Sequence, residues 1–371
     1  MVTPASSAPA SLAPASVPAS AVPPPAADCV GGTLAAMSVE ERAGQVLMIG
    51  TPVASPRQLE AAVRRHRLGG VFLAGRSTRS ASALRADIAV LTGATPLPPL
   101  VAVDQEGGSV QTLKGADFPL IPSAQRLGRE SQAKLRNAVR DSSQRLHGIG
   151  VTLNLAPVAD TVPANIGEAN PPIGSFRRQY GSDPEEVAAD IETVVAASQG
   201  AGVLTVLKHF PGLGRVRANT DVASEVVDAY TTEFDPHLEP FAAGIRAGSA
   251  GVMMSSARYP RLDRTGIAAY SKPIITGLLR ERLGYDGLVV SDDLGAADAA
   301  AIVPVGERAV RFVAAGGDLA LTIRPQDAKP MAEALAAEAR ESPPFDARLT
   351  DAARHVLQAK DRVRLLPCSR K

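Results

Sequence analysis

Charged or polar side chains stand directly behind short apolar runs at five places in this chain. LVAVDQEG (100–107) ends in Asp104 and Glu106, VTLNLAPVAD (151–160) in Asp160, and VLTVLKHFPG (203–212) carries Lys208 and His209. GVMMSSA (251–257) holds Ser255 and Ser256, and GLVVSDDLG (287–295) holds Asp292 and Asp293. A charge set against apolar chain is costly unless it is paired or used. One such placement reads as a structural ion pair; four charged run-ends on one scaffold read as a site. The set has carboxylates and a Lys–His pair, but no Ser or Cys with an adjacent base and no histidines at metal-binding spacing. Carboxylates converging on a polar pocket suit glycoside hydrolysis, in which one attacks or supports an oxocarbenium-like centre and another moves the proton.

An alternation of strands and helices must bring these residues together. QVLMIG (45–50), GVFLAG (70–75) and LALTI (319–323) complete a set of eight apolar runs. Helical periodicity fills 55–68, 80–93, 183–200, 271–284 and 306–317, with Ser55 and Ser80 at N-cap positions and Gly284 and Gly316 where helices stop. Such alternation means parallel strands with crossover helices. Eight units over about 280 residues match a (β/α)8 barrel. An open doubly wound sheet would need a Gly-rich phosphate turn after its first strand, and GTPVASP (50–56) is no G-x-G-x-x-G. The expected fold is therefore α/β, a single-domain (β/α)8 TIM barrel whose reactive groups project from the C-terminal ends of its strands. Residues 346–366 read as a last helix returning toward the N-terminus.

Composition narrows the function further. The chain has 371 residues, 45% of them hydrophobic, which suffices for one large core. Its 39 Lys+Arg against 38 Asp+Glu leave +1, so no basic field awaits a nucleic acid. No apolar stretch reaches the roughly 18 residues of a membrane-spanning helix. Residues 1–27 are almost wholly Ala, Pro and Ser, a composition that cannot offset its ordering entropy. The expected division is a disordered tether over 1–28 and the barrel over 29–371. A tether of this kind, with no export signal ahead of it, reads as the mature form of an exported protein of the cell envelope or exterior, a lipid anchor once ahead of it being compatible. Cys29 and Cys368 are either two idle thiols or one long-range disulfide; an oxidising compartment favours the bond. No metal and no organic cofactor is implied, and a monomer is expected.

LVAVDQEGG (100–108), LNLAPVAD (153–160), RQYGSDP (178–184), KHFPGLG (208–214) and GLVVSDDLG (287–295) occur in that order. From about residue 35 to 345 the chain resembles glycoside hydrolase family 3, in its single-domain branch of bacterial β-N-acetylglucosaminidases acting on cell-wall sugars. The resemblance implies a retaining exo-glycosidase that removes terminal β-linked N-acetylglucosamine. Asp292 matches the nucleophile that forms a covalent glycosyl-enzyme. Asp104, Arg178, Lys208 and His209 match residues that bind the sugar next to the scissile bond. Asp160 is either a support behind them or a helix cap. Asp293 points away from Asp292 by strand alternation. His66, His147, His237 and His355 read as packing or surface residues.

The chain departs from the family pattern at two places. The cell-wall branch usually carries an Asp-x-His dyad on the loop after its KHFPG motif. Here the loop reads KHFPGLGRVRANTD (208–221), with Asn219 at the Asp position and Asp221 at the His position. Either Asp221 is itself the acid/base, with Glu225 as the second acid in the loop, or the protein is a weak or inactive sugar-binding or muropeptide-binding relative. An ionised Asp221 would repel phosphate, so hydrolysis rather than phosphorolysis is expected. The second departure is DQEGGSVQTL (104–113), where Ser109 and Thr112 stand in place of the family's usual arginines. With GVMMSSARYP (251–260) also unusual, a β-glucoside is the alternative substrate.

Overall fold

The computed structural model describes residues 1–2 and 28–369, so residues 3–27 of the expected tether lie outside it. The eight apolar runs form eight parallel strands: β1 (Leu47–Pro52), β2 (Gly70–Ala74), β3 (Leu100–Val103) and β4 (Leu153–Asn154), then β5 (Leu204–Phe210), β6 (Gly251–Met254), β7 (Leu288–Ser291) and β8 (Ala320–Thr322). Each pairs with its sequence neighbour, and β8 pairs with β1. A parallel bridge between Val290 and Leu319, with the Ser291 amide donating to the Leu319 carbonyl at 3.1 Å, brings β7 to β8. The sheet is thereby closed into the (β/α)8 barrel.

A helix follows every strand: Glu60–His66, Ala81–Gly93, Gln132–Gly148, Pro184–Gly200, Glu239–Arg246, Pro273–Arg282, Val305–Ala314 and Ala328–Glu341. Local sequence sets several of their ends. The Ser80 hydroxyl accepts from the Ala83 amide, and Asp183 accepts from the Glu185 and Glu186 amides with Pro184 at the first helical position. Gly284 and Gly316 have φ of 67° and 114° and end their helices as expected. Ser55 makes no cap, because the chain first runs through a 3₁₀ turn at Pro56–Leu59. Pro273–Arg282 is wound with π-type turns, wider than the α-helix its periodicity predicts.

Alternation along the strands decides what lies inside. Met48, Phe72, Leu100, Ala102, Leu204, Val206, Met253, Leu288, Val290 and Leu321 form one apolar cluster that fills the barrel. Their neighbours Leu47, Ile49, Val71, Val101, Val103, Leu207, Val252 and Val289 belong to the layer beneath the helices. Burying each such side chain contributes roughly 1.5–3 kcal/mol. Val356 and Ala359 of the last helix, Pro343–Arg362, close the cylinder at its N-terminal end. At the other end the inward parity runs on: 100 and 102 lead to Asp104, 204 and 206 to Lys208, 288 and 290 to Asp292.

The termini are stapled. Helix Cys29–Ala35, capped by the Asp28 carboxylate on the Gly31 amide, packs on the last helix, and Cys29 is bonded to Cys368 with Cα atoms 5.8 Å apart. Asp28 is thus the N-cap of the first described helix. Among the described residues no helix is long and apolar enough to cross a membrane.

Candidate active site

A cleft of about 480 Å³ opens at the C-terminal rim of the barrel. Asp104, Arg178, Lys208, His209, Asp221 and Asp292 all line it, so six side chains from three strand ends and two loops meet there. The inward parity of β3, β5 and β7 accounts for three of them. In DQEGG the chain then doubles back as a short ribbon, Gln105–Gly107 against Val110–Gln111. Gly107 has φ of 101°, and a Cβ there would lie 2.5 Å from the Pro122 carbonyl oxygen, so only glycine fits the turn.

Ion pairs organise the floor. The Lys208 ammonium donates to Asp104 Oδ1 at 2.6 Å and lies 2.7 Å from Glu106 Oε1. Arg178 grips Glu106 with two parallel bonds of 2.8 Å and donates to the Pro172 carbonyl at 2.9 Å. Burial disfavours charge on Glu106, yet Arg178 and Lys208 outweigh it and hold the carboxyl well below its usual range. Burial likewise works against the Lys208 charge, but Asp104 and Glu106 overcome it and its pKa rises. Both cations therefore stay charged, with their positions fixed.

His209 is held from behind. Its Nδ1 lies 2.7 Å from Asp160 Oδ2, and the same carboxylate accepts from the His209 amide at 3.1 Å and the Leu213 amide at 2.7 Å. With Asp160 fully buried and accepting only, this network assigns the proton to Nδ1 and leaves Nε2 facing Arg178 Nη2 at 3.4 Å. Asp160 is thus a support behind the cleft and no helix cap.

Asp292 stands at the end of β7. Its amide donates to the Met254 carbonyl at 3.1 Å, and its Oδ1 accepts from the Asp293 amide at 2.9 Å. Burial raises its pKa; His209 and Lys208 oppose the rise, and Asp221 adds to it. Asp293 also borders the cleft, but its carboxylate is spent on the Gly295, Ala296 and Ile323 amides, which fixes the turn after β7. Asp221 lies exposed on the 211–235 loop, its amide donating to Asn219 Oδ1 at 3.1 Å. Glu225 is exposed and outside the cleft lining, so the structure gives the understudy acid no place at the site. His66, His147, His237 and His355 do not line the cleft.

Three contributors escaped the reading of the sequence. Glu106 stood among the strand-end acids without a role, although it joins Arg178 to Lys208. Arg215 pins the loop that carries Asp221, with Nη2 2.6 Å from both Thr231 Oγ1 and Asp235 Oδ2 and Nε 3.3 Å from Asp228 Oδ2. Arg76, after β2, reaches the cleft from a strand that ends without an acid. The signal for Glu106 was its two-residue spacing from Asp104; for the arginines a single sequence held none.

Residues 38–359 match the family model described as the glycosyl hydrolase family 3 N-terminal domain. A beta-hexosaminidase of Xylella fastidiosa (strain 9a5c) is 36% identical over 268 residues, 70% of this chain and 77% of that one. The beta-hexosaminidase LpqI of Mycobacterium tuberculosis is 32% identical over 299 residues, 79% of this chain and 75% of that one. The crystal structure of a beta-N-acetylhexosaminidase from Beutenbergia cavernae superposes with a TM-score of 0.84 at 43% identity, covering 87% of this chain and 98% of the other.

Proposed function

The chain belongs to glycoside hydrolase family 3, and from that premise we propose that it removes terminal β-linked N-acetylglucosamine, with retention, from cell-wall fragments or related oligosaccharides. The single observation that carries the reading is the shared cleft. Asp292 enters it at the inward position of β7 and lines it together with Asp104, Lys208 and Asp221. In this reading Asp292 attacks the anomeric carbon and Asp221 protonates the departing oxygen, giving a covalent glycosyl-enzyme. Asp221 then takes a proton from water, which cleaves the ester with a second inversion. Asp104, Lys208, Arg178 and His209 hold the sugar by its hydroxyls. The paired cations cannot drift, so orientation is prepaid before the sugar arrives.

The Cys29–Cys368 disulfide supports an exported setting, in which the barrel acts as a monomer. The test is turnover of an aryl β-N-acetylglucosaminide and an aryl β-glucoside side by side, with and without phosphate. The N-acetylglucosaminide is hydrolysed faster, and phosphate changes neither rate nor product. Asp292→Ala loses most of the rate, and Asp221→Asn loses roughly 100-fold or more, the scale of one general acid/base. Binding of free N-acetylglucosamine without any turnover by the unaltered protein would instead make it a sugar-binding relative.

A further inference from the structure

Of the basic side chains that line the cleft, Arg76 alone has no carboxylate partner among the described residues. Lys208 is shared by Asp104 and Glu106, Arg178 is held by Glu106, and His209 by Asp160. Arg76 is exposed and anchored only by main chain, its Nη1 donating to the Gly75 carbonyl and its Nη2 to the Ser109 carbonyl, each at 3.2 Å. A guanidinium has five N–H donors, so three remain unused. Ser109 beside it is too short to cover them. The exposed apolar side chains of Phe176 and Ile323 border the same mouth.

We propose that Arg76 is a specificity-determining residue that receives a carboxylate carried by the aglycone. This rests on the exo-acting reading above: with the terminal sugar seated on Asp104 and Lys208, whatever extends past the rim is the leaving group. The charge balance gives the reason. Four carboxylates line the cleft, Asp104, Asp221, Asp292 and Asp293, while the inner cations are already committed to acids. An anionic aglycone would be repelled there unless a free cation met it at the mouth. Arg76 supplies that cation, and its planar fork matches a carboxylate with two parallel bonds. Phe176 and Ile323 offer the apolar contact for the rest of the group.

The test uses the full chain and two matched substrates, 4-carboxyphenyl β-N-acetylglucosaminide and its methyl ester. The readout is the ratio of kcat/KM for acid over ester, which cancels changes common to both. Arg76→Gln lowers that ratio about 10-fold or more, the scale of losing a charge-assisted hydrogen bond, and does so through KM. In the unaltered protein the ratio also falls as salt is raised, because the charge at the rim is solvent-exposed. An equal loss on both substrates, or a ratio insensitive to the substitution, overturns the assignment. Failure of the unaltered protein to cleave even the ester sinks the N-acetylglucosaminidase reading itself, and this inference with it.

Discussion

Replacing Glu106 by Gln tests whether the ion cluster positions the cleft. The Glu106 side chain is 4% exposed and serves two cations at once, Arg178 and Lys208. Removing one partner of a buried pair costs about 3–5 kcal/mol, because the charge left behind is uncompensated. Here Asp104 still meets Lys208 and the Gln oxygen still accepts from Arg178, so the low end, about 3 kcal/mol, is the reasonable figure. At roughly 2 °C per kcal/mol for a domain of this size, Tm falls by about 6 °C. The sign with pH follows from the lowered pKa of Glu106. Its contribution is complete above the unfolded glutamate pKa of about 4.3 and is lost as pH falls toward the depressed folded value. Thermal unfolding at pH 7 shows the full gap, and at pH 3.5 a smaller one. Kinetically the substitution raises KM, since Arg178 and Lys208 lose the group that aims them. A variant within 1 °C or so of the original at pH 7, or a gap that does not narrow in acid, refutes the argument.

Two further predictions concern groups outside the cleft lining. Lys360 is fully buried with Gln45 Oε1 at 2.5 Å, and burial lowers its pKa to about 7. The unfolded chain then binds the extra proton between pH 7 and about 10.5, so stability from this group rises with pH across that window and its burial costs at most about 5 kcal/mol below it. Lys360→Met therefore stabilises the fold at pH 6.5 and gains progressively less by pH 9.5 in denaturant titrations; an equal gain at both pH values contradicts this. Arg215→Gln releases Asp228, Thr231 and Asp235 from one another and loosens the loop that delivers Asp221. It should lower kcat by about 10- to 100-fold with KM nearly unchanged, as a misplaced proton donor would; an unaltered kcat rejects the loop-anchor role.

The barrel was legible because its strands are short, uninterrupted apolar runs whose parity carries past their ends. That parity places Asp104, Lys208 and Asp292 inward, while Asp293 accepts from backbone amides of its own turn and from the Ile323 amide after β8. Helix Gln132–Gly148 was not legible, since it buries only Leu135, Ser143 and Leu146 and shows almost no apolar stripe. The ion pairs were hidden for another reason. Arg178 lies 72 residues from Glu106, and Arg215 finds its acids in a loop with no periodicity. Parity predicts which side of the sheet a residue faces, but not which loop residue folds over to meet it.

An Asp where the family's loop usually carries His has a consequence for the catalytic cycle proposed above. Asp221 and Asp292 share the cleft, and the charge of Asp221 raises the pKa of Asp292. Two negative charges in one partly desolvated space are mutually costly, and burial adds to that cost at Asp292, where His209 and Lys208 oppose it. A retaining glycosidase needs one carboxylate to attack and one acid to protonate, so the cations beside Asp292 have to keep it ionised in the proposed cycle. Once Asp292 has formed its ester its charge is gone, and the cost of a charge on Asp221 falls at the moment it must act as base. Neutral histidine in that position does not repel an anion approaching the ester, whereas ionised Asp221 does. In the proposed cycle the same carboxylate would therefore favour water over phosphate as the second nucleophile.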